Sequence, residues 1–134
     1  MKILVADDDK ISRKILEKIL SKHGFEVISA SDCDEALEVY KNSDVELVLG
    51  DWMMPPTGGL TLVRDIRILD SETDRNCYFI MVSAKTDKEE IARAFEAGVD
   101  NFISKPVDEN VMLARIKAGK RILDNYRGLR DRIK

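Results

Sequence analysis

Two cysteines and one histidine are all the thiolate and imidazole metal ligands this 134-residue chain offers. Cys33 and Cys77 stand apart with no CxxC pair, which argues against a disulfide framework or a zinc site and makes a reducing cytoplasm the expected setting. The lone His23 cannot build a metal cluster. Next to Gly24 it reads as a residue of a helix's last turn, where a protonated imidazole is favoured. No apolar run approaches the roughly 20 residues that cross a bilayer, so no membrane contact is expected. The N-terminus lacks a signal-peptide pattern, because its apolar stretch begins at residue 2 and meets acids at residue 7. Neither GxGxxG nor a Walker pattern occurs, so Gly58-Gly59 reads as a turn into a helix and not as a nucleotide loop.

What is present is apolar and charged: 44% hydrophobic and 35% charged residues, in a length that suits one domain with a sizeable core. The net charge of −3 is unevenly spread. From Arg115 to Lys134 eight basic residues face two acids, Asp124 and Asp131, a local +6 that leaves the first 114 residues at −9. An acidic body with a basic C-terminal helix does not predict direct nucleic-acid binding.

Strand and helix patterns alternate along the chain. Ile3-Leu4-Val5-Ala6 predicts a buried strand, and Ile11, Ile15, Leu16, Ile19 and Leu20 predict a helix that Gly24 ends. Phe25–Ile28 is the next strand, and Asp32-x-x-Glu35 opens a helix burying Ala36, Leu37 and Tyr40. A strand over Val45–Gly50 ends at Asp51. The stripe Leu60, Leu62, Val63, Ile66, Leu69 follows, then an exposed polar loop over Asp70–Asn76. Tyr78–Val82 is a strand running into Ser83-Ala84. Thr86-x-x-Glu89 caps a helix burying Ile91, Ala94 and Phe95, with Gly98 as its stop. Asn101-Phe102-Ile103 leads to Lys105-Pro106. Asp108 then caps a last helix, with Val107 and Met112 as a hydrophobic staple and Val111, Leu113, Ala114 and Ile116 packing on the sheet. Five βα units with apolar strands predict a doubly wound parallel sheet with helices on both faces, whose ligands bind beyond the carboxyl ends of its strands.

The chemistry-bearing residues fall at those ends. Asp7, Asp8 and Asp9 close the first strand, Asp51 the third, Ser83 the fourth and Lys105 the fifth. Clustered carboxylates repel unless a cation offsets them. Mg2+ takes oxygen ligands and is bound through one or two carboxylates plus phosphate oxygens, so Asp8 and Asp51 are candidate direct ligands, with Asp7 acting through a water. A carboxylate can also attack phosphorus to give an aspartyl phosphate. Lys105 and the Ser83 hydroxyl would offset the charge on the phosphoryl oxygens. Asp9 reads as a helix N-cap.

Over residues 1 to about 120 the chain resembles the receiver domain of bacterial two-component response regulators. Asp7-Asp8 match its acidic pair, Asp51 its phosphoacceptor within Asp51-Trp52-Met53-Met54-Pro55, and Gly59 follows eight residues on. Ser83-Ala84 match its switch hydroxyl and small neighbour, Phe102 its switch aromatic, and Lys105-Pro106 its lysine and proline. The resemblance implies a flavodoxin-like α/β fold with sheet order 2-1-3-4-5. It implies Mg2+-dependent phosphotransfer to Asp51 from a sensor histidine kinase or phosphotransfer protein, and a downstream effector or output domain. It also implies the Met53 carbonyl as a metal ligand. Met53 and Lys85 would tune the lifetime of the phosphorylated state, and the chain would catalyse only its own phosphotransfer and slow dephosphorylation.

Two other functions compete. Asp7-x-Asp9 superficially matches the nucleophile signature of haloacid-dehalogenase-type phosphatases. That group expects Thr or Val where this chain has Ile11, and a further acidic pair with a cap domain for which 134 residues leave little room. A pseudo-receiver that only binds a partner would ordinarily have lost a pocket residue, and all five stand here. The expected organisation is a receiver domain over 1–120, with 121–134 extending the last helix as a linker or dimerisation segment. There Ile122, Tyr126, Leu129 and Ile133 recur at coiled-coil spacing, and basic neighbours limit any homodimer to a weak one. No helix-turn-helix or second domain is visible.

Overall fold

The structure is a computed structural model that describes residues 1–54, 56–84 and 87–133, with side-chain surroundings to residue 128. Five strands, β1 (Lys2–Ala6), β2 (Glu26–Ala30), β3 (Leu47–Asp51), β4 (Tyr78–Ser83) and β5 (Asn101–Ser104), alternate with five helices. These are α1 (Lys10–Lys22), α2 (Cys33–Asn42), α3 (Gly59–Glu72), α4 (Lys88–Ala97) and α5 (Glu109–Ile133). All strand pairs are parallel and the order is β2-β1-β3-β4-β5, the doubly wound arrangement expected.

Successive strand residues feed opposite layers, as the period of two requires. Leu4, Val48, Phe79 and Met81 pack with Tyr40 of α2 and Leu62, Val63 and Ile66 of α3. Ile3, Val5, Leu47, Leu49, Ile80 and Val82 pack with Leu16 and Leu20 of α1 and Met112 and Ile116 of α5. Both layers are apolar, so the central strands read as continuous hydrophobic runs rather than alternating ones.

Several expectations need correction. β2 starts one residue late because the Phe25 N–H closes the α1 terminus on the Leu20 carbonyl, and it runs on to Ala30. The expected polar loop from Asp70 is in part helix. α3 continues to Glu72, and Asp70 is buried because it accepts the Tyr40 hydroxyl at 2.5 Å and the Arg67 guanidinium at 3.1 Å. Asp87 caps α4 through the Glu89 N–H, and Thr86 lies outside the described residues. Ile11, Ile15 and Phe95 are exposed rather than core. On α5 the buried line is Met112, Ile116, Gly119 and Leu123, whereas Val111 and Ala114 face solvent. Asp108 does cap α5, accepting the Val111 N–H at 2.9 Å.

Candidate functional site

The β1 strand delivers its acids into a loop that the chain itself pins. The Asp7 N–H donates to the Ala30 carbonyl at the end of β2, and the Asp9 N–H donates to Asp7 Oδ1 at 2.9 Å. Asp9 then caps α1 by accepting the Ile11 N–H at 3.0 Å, the plain role its position suggested. Asp7 is buried while Asp8 is exposed.

β3 ends one strand away at Asp51, itself buried. Asp51 Oδ1 accepts the Met53 N–H at 3.2 Å and Oδ2 accepts Lys105 Nζ at 3.0 Å. Lys105 reaches it from the end of β5, where its N–H pairs with the Ser83 carbonyl at 2.9 Å. The following loop needs its two glycines. Gly58 sits at φ +92°, and a Cβ on Gly59 would stand 2.3 Å from the Asp51 carbonyl oxygen. Asp8, Asp51, Met53, Ser83 and Lys105 line one depression of about 400 Å³, with Asp7 beneath it.

Its electrostatics call for a cation. One carboxylate oxygen from each of Asp7, Asp8 and Asp51 lies within 4.8 Å of the others. Unit charges at that distance repel by about 3 kcal/mol at an effective dielectric near 20. Burial, aided by the Asp51 charge and opposed by the Asp9 N–H and Lys105, pushes the Asp7 carboxyl up to about 6. Its Oδ2 has no hydrogen-bond partner among the described residues. Partial burial works against the Lys105 ammonium, but the hydrogen bond and charge of Asp51 outweigh it and hold that pKa above its ordinary value. An oxygen-only donor set with one buried bare oxygen fits a hard dication such as Mg2+.

The structure therefore brings Asp7, Asp8, Asp51, Met53, Ser83 and Lys105 to one place. Phe102 lies apart, half-buried against the α2–α4 layer. Lys85 lies outside the described residues. Sequence reasoning missed Arg13, whose Nη1 donates to the Asp7 carbonyl at 2.8 Å. No signal in the sequence singles it out, since Lys10 is also a cation at the start of the same helix.

A sequence profile described as the response regulator receiver domain matches residues 3–117. The chain belongs to this family. Among related receivers, the chemotaxis protein CheY1 of Helicobacter pylori is 34% identical, the match spanning 87% of this chain and 94% of that protein. The probable transcriptional regulator ycf27 of Porphyridium aerugineum is 38% identical over 92% of this chain and 49% of its own length. The chain thus spans about half the length of that relative, and likewise of the PhoB regulators it matches. Among solved structures, the CheX–CheY–BeF3–Mg2+ complex from Borrelia burgdorferi superposes with a TM-score of 0.81 at 30% identity, covering 88% of this chain and 87% of that one. The receiver is a signalling switch in its family, and no described helix is long and apolar enough to cross a membrane.

Proposed function

We propose that Asp51 accepts a phosphoryl group from the phosphohistidine of a sensor histidine kinase or phosphotransfer protein. The observation that carries this reading is the Asp51 carboxylate itself, buried at a strand end between two further acids and the Lys105 ammonium. An Asp51 oxygen attacks phosphorus, the phosphorus–nitrogen bond of the donor breaks, and its electron pair leaves with the imidazole. Asp8, Asp51 and the Met53 carbonyl would hold Mg2+ directly, with Asp7 reaching it through a water. When bound, the ion would supply positive charge to the phosphoryl oxygens. Lys105 would leave Asp51 for a phosphoryl oxygen, keeping its charge where charge develops. Ser83, buried in the wall of the depression, would donate to the same group. Phe102, half-buried on β5, would act as the switch aromatic that relays the change to the outer face.

Incubation with phosphoramidate and Mg2+ should add one phosphoryl group, hydroxylamine-labile and read by intact mass spectrometry. Equal labelling of Asp51→Asn would refute the assignment. Turnover of a generic phosphate ester would point to a phosphatase instead.

Other parts of the reading follow from the surroundings. Ile11 and Ile15, exposed beside a cleft that runs past Ser12, Leu16 and Val107 to Lys105, would form the face on which the phosphodonor docks. Met53 is exposed and cannot orient a water, which favours slow self-hydrolysis, with Lys85 as its companion in tuning. Residues 1–120 form the receiver, and 121–134 carry its signal to an effector or output domain. Leu123 buries itself on the α1–α5 layer and Arg127 pairs with Glu46; the exposed Ile122, with Tyr126 of the same seam, would be the contact of a weak homodimer. The seam residues Leu129 and Ile133 lie outside the described side chains. No direct nucleic-acid contact is assigned to this domain, and two buried free thiols suit a reducing cytoplasm.

A further inference from the structure

Arg13 occupies a costly position. It stands in the first turn of α1, where the helix dipole opposes a cation, and its side chain is only 18% exposed. Two contacts hold it there. Nη1 donates to the Asp7 carbonyl at 2.8 Å, and Nε lies 3.9 Å from Glu17 Oε1. Glu17 in turn accepts the Ser29 hydroxyl, so the guanidinium is braced from β2 through a second side chain. β2 also fixes the Asp7 N–H through the Ala30 carbonyl. The Asp7 peptide groups are therefore clamped on both sides by α1 and β2. This is the segment on which the Asp7 and Asp8 carboxylates must meet Asp51.

We propose that Arg13, braced by Glu17 and Ser29, is a positioning residue that sets the acidic pair for its metal. The inference rests on the reading of Asp7, Asp8 and Asp51 as the Mg2+ site. Its sign separates it from a charge effect. A cation acting only through its field would weaken Mg2+ binding, and its removal would tighten it. A cation that positions the ligands does the opposite. Outer partners of metal ligands typically contribute tenfold or more in affinity.

The test is a MgCl2 titration followed by Trp52 fluorescence, repeated as the Mg2+ dependence of phosphoramidate labelling. Arg13→Ala should raise the apparent Mg2+ dissociation constant about tenfold while the labelling rate at saturating Mg2+ stays near the parent's. Arg13→Lys keeps the charge but cannot span both partners, so it should lose several-fold. Glu17→Gln should show a smaller loss in the same direction. Should Arg13→Ala fail to fold, the Lys and Glu17 variants decide. A dissociation constant equal to or below the parent's in these variants overturns the inference, as does a lowered saturating rate with unchanged Mg2+ dependence. Failure of the parent chain to bind Mg2+, or parent-like binding by Asp8→Ala, would instead remove the underlying reading and this inference with it.

Discussion

Buried, with Oδ1 accepting the Asp9 N–H and Oδ2 without a partner among the described residues, the Asp7 carboxyl holds its proton to about pH 6, against an ordinary value of 3.8. The folded chain binds that proton more tightly than the unfolded chain does. Stability therefore falls as pH rises from about 4 to about 6, and the whole cost is present above that range. Asp7→Asn should stabilise the chelator-treated protein at pH 7.5 by about 1–3 kcal/mol, and the gain should vanish near pH 4. Urea unfolding at both pH values checks this, and an equal gain at each would contradict it. Lys105 gives the complementary case. Lys105→Ala removes a cation from beside three acids, so Mg2+ binding read by Trp52 fluorescence should persist or tighten. The labelling rate should fall about tenfold or more, as when a charge-stabilising donor is lost. Loss of Mg2+ binding in that variant would show that Lys105 holds the pocket's shape and not its charge. These residues were legible because each stands at a strand end, a position that periodicity alone predicts. Arg13 was not, since its function runs through a backbone carbonyl that the sequence does not display.

At the scale of elements, apolar spacing told which segments are helices more surely than which residues they bury. Ile11, Ile15, Leu16 and Leu20 all fit a helical stripe, yet the arc is wider than one sheet face, and only Leu16 and Leu20 meet the strands. Asp70 looked like loop because nothing in the sequence says that Tyr40 and Arg67, on other turns and another helix, will supply its partners. Gly119 is the sharper lesson. By propensity it weakens α5 by about 1 kcal/mol relative to alanine. In the structure, however, a Cβ there would stand 2.6 Å from the Tyr78 ring, so the glycine lets the helix lie flat on β4. Gly119→Ala should therefore destabilise the fold by about 1–3 kcal/mol despite its helix propensity. Thermal unfolding decides; a higher midpoint would mean that Tyr78 moves aside at no cost. Tyr40→Phe should cost about 1–2 kcal/mol, because it strips Asp70 of a buried donor.

For the molecule as a whole, one chain of consequences runs from strand periodicity to function. Strands joined through crossover helices run parallel with both faces covered, and parallel strands put all their carboxyl ends on one edge. That edge gathers Asp7, Asp8, Asp51, Ser83 and Lys105 from four strand ends far apart in sequence. The opposite edge anchors the start of the C-terminal extension through Leu123 and the Arg127–Glu46 pair. If Ile122 and Tyr126 are a dimer contact, Ile122→Glu should abolish any concentration-dependent sedimentation of the intact chain without lowering its unfolding midpoint. Phosphorylation of Asp51 at this edge can be read out at residue resolution. The chain is phosphorylated with phosphoramidate and Mg2+ and reduced with borohydride, which converts an aspartyl phosphate to homoserine, and its peptides are sequenced by mass spectrometry. Homoserine is expected at position 51 and nowhere else. Homoserine at position 7, 8 or 9, or none at all under conditions that label an unrelated receiver, would contradict the assignment of Asp51.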